Sequence, residues 1–282
     1  MRGLAALSVV IFHLGPMDFH PSWFRVIPLY GETGVQFFFV LSGFIISISS
    51  YKYFKNPSYL NSITFLIKRL IRVYPPFFAS LIFSVIVNFV LDNHLITFKD
   101  FTLTASLNYI YLGGIPPQVV YWTLVHEMQF YFFISLTLLP MFTKYRNYFI
   151  YLFGISSFLI ISKLLSNPIV NGNLFRHFHS FYFGIFIFEL YRIKIIQNSQ
   201  PKFVRGFIIQ FIVLSVVSII FLNHRLVASL IATILIATLV LIDPKVNKLN
   251  PLLFLGKISY SLYLIHIPII KIFSSIFNVD VI

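Results

Sequence analysis

Residues 73–91 read VYPPFFASLIFSVIVNFVL, nineteen positions without a formal charge, bracketed by Arg72 and Asp92. A hydrocarbon core about 30 Å thick is crossed by about 20 apolar residues in a helix, or by a β-strand of about 10 with alternating polarity. The run has the helical length and lacks the alternation. Lipid supplies no hydrogen bonds to the backbone, so the segment must satisfy its own as an α-helix. Outward from it, similar runs recur at about 2–15, 34–50, 119–141, 147–165, 174–191, 203–222, 226–243 and 255–277. The pattern predicts an all-α, polytopic transmembrane helical bundle of about nine visible spans.

Composition agrees. Of 282 residues, 58% are hydrophobic and 10% charged, with 35 Phe and 16 Tyr. Soluble domains carry about 25% charged residues because their surface faces water. A disordered, collagen-like, coiled-coil or soluble-enzyme reading is therefore excluded, and the lipid bilayer is the first partner. Zero Cys excludes a disulfide framework, a thiolate metal site and a cysteine acyl-enzyme. The net charge of +13 lies in loops between apolar runs. It reads as membrane topology rather than nucleic-acid binding, for which no motif is visible.

With the N-terminus cytoplasmic and nine alternating spans, 15 of the 21 Lys and Arg residues fall inside. Arg25, Lys99, Lys163, Arg176, Arg225 and Lys271 fall outside, so the positive-inside rule selects this orientation. The first span starts almost at Met1 without a small-residue cleavage site after His13. It reads as a span lacking its cytoplasmic lead-in rather than as a signal peptide.

Ionisable side chains within spans are costly unless they face protein or water, which makes them functional candidates. Arg2 and His13 are eleven residues apart, which places them within about 20° of one helix face and about 16.5 Å apart along the axis. Near mid-depth, a neutral imidazole can serve as a general base or cap an interhelical hydrogen bond. Arg69 and Arg72, beside Lys68, share a face, where forked guanidiniums suit phosphate oxygens; basic residues at a cytoplasmic helix end also meet topology alone. Glu127, followed by Phe130 and Tyr131, is the deepest acid and must be paired or protonated. Ser259, Tyr263 and His266 share a stripe that is either a packing seam or part of a site. The histidines are scattered, and His177 with His179 is too small a group to predict a metal, so no metal site is expected. Walker-type loops, His-Glu-x-x-His pairs and Gly-x-Ser-x-Gly elbows are missing from the sequence.

Five blocks in order resemble the integral-membrane acyltransferase 3 family. They are Arg2-Gly3-Leu4 running to His13; Gly34 to Phe44, which contains Ser42; Arg69-Leu70-Ile71-Arg72 with Tyr74-Pro75; Trp122-Thr123-Leu124 with Glu127 and Phe130-Tyr131; and Ser259 to Leu264 with His266 and Pro268. The resemblance covers residues 2–268. It implies one transmembrane acyltransferase domain over 1–282, shortened at both ends relative to the family and without the extracytoplasmic hydrolase-like domain of some members.

The resemblance further implies O-acyl transfer, usually of acetyl, from cytoplasmic acyl-CoA to a sugar hydroxyl of a surface polysaccharide or lipid-linked oligosaccharide. The expected location is the bacterial cytoplasmic (inner) membrane. Acetyl-CoA would be a donor substrate, and no cofactor would be permanently bound. In that reading His13 and Glu127 are catalytic, with His13 either the general base or a transient acyl carrier. Arg2, Arg69 and Arg72 bind the CoA donor, and Ser42, Tyr263 and His266 line the cavity. A transporter or flippase of the same glycan is the rival, since it too would bury His, Glu and Arg; an inactive membrane scaffold is the other.

Overall fold

The computed structural model describes residues 1–14, 33–54, 56–139, 177–196, 224–242 and 251–277, with scattered positions within 141–155 and 208–216. Among the described residues there are helices and turns but no strand. In chain order the helices are α1 (Arg2–Leu14), α2 (Gly34–Phe54), α3 (Tyr59–Asp92), α4 (Phe98–Ala105), α5 (Tyr109–Leu112), α6 (Trp122–Thr137), α7 (Phe178–Ile196), α8 (His224–Ile242) and α9 (Pro251–Phe277). A 3₁₀ turn, Val119–Tyr121, leads into α6.

Helices α2, α3, α8 and α9 are long and apolar enough to cross a membrane, and α1 is a shorter apolar helix. Seven of the nine predicted spans coincide with helices. Those at 147–165 and 203–222 lie outside the described residues, apart from a few positions.

The largest departure from expectation is α3. The span read from sequence covers 73–91, with Arg69 and Arg72 at its cytoplasmic end. The helix runs 34 residues, from Tyr59 to Asp92, and holds Pro75 and Pro76 in its interior. At 1.5 Å per residue it is about 51 Å long, about 20 Å more than the hydrocarbon core needs. Its exposed stripe is Ile63, Ile67, Ile71, Phe78, Ile82 and Ile86, whereas Ser62, Arg69, Ser80 and Ser84 are buried. Apolar outside and polar inside is the order that lipid imposes.

The contacts divide the chain into two units. Unit 1 comprises 1–35, 70–125 and 247–282, and unit 2 comprises 36–69 and 126–246.

In unit 1, α1 packs along α9 with Gly3 at the approach. A Cβ on Gly3 would lie 2.6 Å from the Leu255 Cβ. Pro268 lies inside α9 and has no N–H to give the carbonyl of Leu264, four residues earlier. That carbonyl is satisfied from outside the helix. Ser80 Oγ donates to it at 2.7 Å and Gln118 Nε2 at 2.9 Å. Replacing Ser80 with Ala and Gln118 with Leu together is expected to cost about 1–3 kcal/mol, the desolvation of one buried carbonyl. Most of that cost should vanish in a Pro268→Ala background, where residue 268 regains its N–H. Thermal unfolding in detergent of the variants, combined as a double-mutant cycle, measures the coupling.

At the end of α3 in unit 1, Lys271 donates to Asn88 Oδ1 at 2.8 Å and pairs with Asp92 at 2.9 Å. The C-terminal parts of α3 and α9 therefore share a side. The segment after α3 carries α4 and α5. Thr97 caps α4 reciprocally with Asp100: its hydroxyl donates to the carboxylate at 2.6 Å and accepts the Asp100 N–H at 3.1 Å. That hydroxyl, together with the Ile115 N–H, holds the Asp100 carboxyl below its usual range.

In unit 2, α2 and α7 meet backbone to backbone at Gly43 and Gly184. A Cβ on Gly184 would lie 2.2 Å from the Val40 carbonyl oxygen, and one on Gly43 would lie 2.3 Å from that of Phe181. A buried polar seam runs from α2 to α7 and α8. Ser180 Oγ donates to Gln36 Oε1 at 2.6 Å and lies 2.8 Å from Ser229 Oγ.

Candidate active site

The structure brings together two histidines that are 253 positions apart. Within unit 1, His13 Nδ1 lies 3.2 Å from His266 Nε2, with ring centroids 5.0 Å apart. His13, in the last turn of α1, also points Nδ1 at the Val9 carbonyl at 2.9 Å. His266, buried in α9, points Nδ1 at the Tyr263 carbonyl at 2.7 Å. A carbonyl oxygen only accepts, so in each neutral ring Nδ1 carries the hydrogen and Nε2 the lone pair. The Nδ1–H of His13 is thus shared between Val9 O and His266 Nε2, and the Nε2 of His13 keeps an available lone pair. His13 is partly exposed. A partly exposed imidazole with an available ring nitrogen is equipped to take a proton from a hydroxyl.

Tyr263 lies beside this pair and is buried. Its hydroxyl donates to the Val120 carbonyl at 3.2 Å, which ties α9 to the turn before α6. It thereby acts as a strut that fixes the carbonyl held by His266. Arg2, at the other end of α1, is partly exposed, and its buried Nε has no hydrogen-bond partner among the described residues.

The second cluster lies wholly within unit 2. Glu127 on α6 accepts from the Tyr131 hydroxyl at 2.6 Å, one helical turn on, and from Ser42 Oγ of α2 at 3.4 Å. The Tyr131 ring in turn lies under the Arg69 guanidinium, 5.8 Å from centroid to Cζ, and the Phe65 ring lies 5.5 Å away. Arg69 also donates to Ser49 Oγ. Glu127, Ser42 and Arg69, assigned three separate roles from sequence, are thus linked through Tyr131. Tyr131 stood in the fourth-span motif, and its i,i+4 spacing from Glu127 was the signal that could have revealed its part.

Arg69 and Arg72 differ. Arg69 is buried in that aromatic cradle, whereas Arg72 is exposed. The two share a helix, but only Arg72 presents its fork to the surface.

Sequence reading missed a third group in unit 2. His126 and His177 rings lie 4.9 Å apart, His177 Nδ1 lies 3.4 Å from Gln36 Nε2, and His126 Nδ1 lies 3.2 Å from Gln129 Oε1. Among the described residues there is still no group of three or more His, Asp or Glu side chains placed to hold a metal ion.

Membrane-length apolar helices, with an oriented histidine pair in unit 1 and a part-buried carboxylate in unit 2, mark an all-helical membrane protein. The comparison with known families narrows this class: the family described as "Acyltransferase domain", the acyltransferase 3 family, matches residues 1–280, and the chain belongs to it.

Among curated proteins it is similar to "Putative O-acetyltransferase SACOL0978" of Staphylococcus aureus strain COL. The two are 25% identical over 311 residues, covering 96% of this chain and 50% of the relative. It is also similar to "Putative acetyltransferase ORF330" of Acidianus two-tailed virus, 25% identical over 300 residues, covering 95% of this chain and 81% of that protein. The chain spans about half the length of the staphylococcal relatives it matches. No solved structure matches it.

Proposed function

We propose that the protein is a membrane-embedded O-acyltransferase that moves an acyl group, acetyl in the simplest case, from cytoplasmic acyl-CoA to a hydroxyl of a surface polysaccharide or lipid-linked glycan. Its place of action would be the bacterial inner membrane. The family and the acetyltransferase names of the relatives support the reaction class. The observation that carries the chemistry is the His13 ring, held by Val9 O and His266 with Nε2 left basic.

In the proposed step the acceptor O–H gives its proton to His13 Nε2 as its oxygen bonds to the thioester carbonyl carbon. The C–S bond then breaks, and the CoA thiolate recovers the proton from Nε2. The same nitrogen would bear the acyl group in a two-step route. Glu127, steadied by Tyr131 and Ser42, orients or charges a polar group within unit 2.

CoA phosphates are assigned to Arg72 and Arg2. Arg69, first expected to share that task, reads better as the support of Tyr131 and Glu127. Arg72→Ala is expected to weaken CoA binding about tenfold, the loss of a charge-assisted contact worth roughly 1.5 kcal/mol. Arg69→Lys should leave CoA affinity nearly unchanged and lower turnover. Titration of CoA by thermal shift checks both, since a ligand bound to the native state raises its stability. A glycan flippase would give no CoA response.

Deleting the gene should remove acyl-sized mass increments from the envelope polysaccharide. An unaltered mass spectrum would refute the proposed function.

A further inference from the structure

We propose that His266 is a positioning residue for His13: its Nε2 accepts the His13 Nδ1 proton, holds that ring in one tautomer and shares its charge once Nε2 has been protonated. The inference rests on His13 being the base.

Four distances carry it. Tyr263 O, 2.7 Å from His266 Nδ1, requires a hydrogen there, so neutral His266 has only a lone pair at Nε2. That lone pair faces His13 Nδ1 at 3.2 Å, and Val9 O faces the same atom at 2.9 Å. A His13 protonated on Nε2 instead would set its Nδ1 lone pair against both acceptors. The observed packing therefore excludes the tautomer that has no base at Nε2. His266 itself cannot turn away. It is 2% exposed, and its carbonyl partner belongs to Tyr263, whose hydroxyl reaches Val120 O at 3.2 Å.

The series carbonyl, imidazole, imidazole does for His13 what a carboxylate does for the histidine of a hydrolase triad: it selects the tautomer and receives a stronger hydrogen bond when the ring becomes cationic. No proton need leave Nδ1. The proton taken at Nε2 from the acceptor hydroxyl goes to the CoA thiolate, so the step balances without a further reactant. The late-span motif that pairs Tyr263 with His266 thereby gains a role beyond lining a cavity.

The test uses the full chain in proteoliposomes with acetyl-CoA and de-O-acetylated envelope polysaccharide from a deletion strain. His266→Ala should lower kcat about 10- to 100-fold while the KM for acetyl-CoA stays within about twofold. His266→Gln, whose side-chain oxygen can accept from Nδ1–H, should restore most of the rate. Solid-state ¹⁵N spectra of histidine-labelled wild type, which need no variant to fold, should show His13 protonated at Nδ1 and bare at Nε2.

Undiminished kcat in His266→Ala, or a wild-type spectrum with the proton on Nε2, overturns the proposal. If His13→Ala is inactive and His266→Ala fully active, only the positioning role falls. If both are fully active, the reading of His13 falls with it.

Discussion

His13→Ala is expected to lower acyl transfer about 10²- to 10⁴-fold, the usual contribution of a general base. That equals about 2.7–5.5 kcal/mol of transition-state stabilisation. The side chain lies at the end of α1 and is partly exposed, so little packing is lost with it. His13→Gln is the sharper variant. Its amide N–H can still donate to His266 Nε2, so the contact between α1 and α9 survives, but it has no basic nitrogen. Both variants should keep the CoA-dependent thermal shift while losing turnover, which separates chemistry from binding. A His13→Gln protein with wild-type turnover would remove the imidazole from the mechanism.

The largest effect on the fold is expected at Gly184. Replacing it with Ala adds one methyl group 2.2 Å from Val40 O and 2.6 Å from Phe44 N. These are backbone atoms of α2, so no rotamer change relieves the clash, and α2 and α7 must separate. The Ser180, Gln36 and Ser229 hydrogen bonds across the same helices would stretch with them. Overpacking on a rigid neighbour costs about 3 kcal/mol or more. Gly43→Ala meets the mirror obstacle at Phe181 O and should behave alike. Gly256→Ala, where a Cβ meets nothing within 4 Å, is the control and should melt as wild type does. Detergent melting curves of the three variants give the comparison; equal midpoints would contradict the close crossing.

Much of the architecture was legible because lipid leaves few options. Uninterrupted apolar runs become helices, and the ends of α8 and α9 fall within a few residues of the limits read from hydropathy. The start of α3 was not legible: the span was read from residue 73, where the charges of Lys68, Arg69 and Arg72 end, whereas the helix begins at Tyr59. The result places Arg69 and Arg72 inside α3 instead of at its edge. His13 and His266 in unit 1 and Glu127 in unit 2 were each marked by the cost of placing a polar group within an apolar span. Their partners were not, because the meeting of His13 with His266 or of Arg69 with Tyr131 depends on helix packing that one sequence does not encode by spacing. Pro268 shows the intermediate case. The orphaned Leu264 carbonyl follows from sequence alone, while Ser80 and Gln118 as its donors emerge only in three dimensions.

The account is tested most directly by stoichiometry in proteoliposomes holding purified chain, acetyl-CoA and de-O-acetylated polysaccharide. The wild type should release one CoA thiol for each ester formed on the glycan, and His13→Gln should do neither at a comparable rate. Ester formation that continues in His13→Gln, or the absence of glycan ester from a folded, CoA-binding wild type, would contradict it.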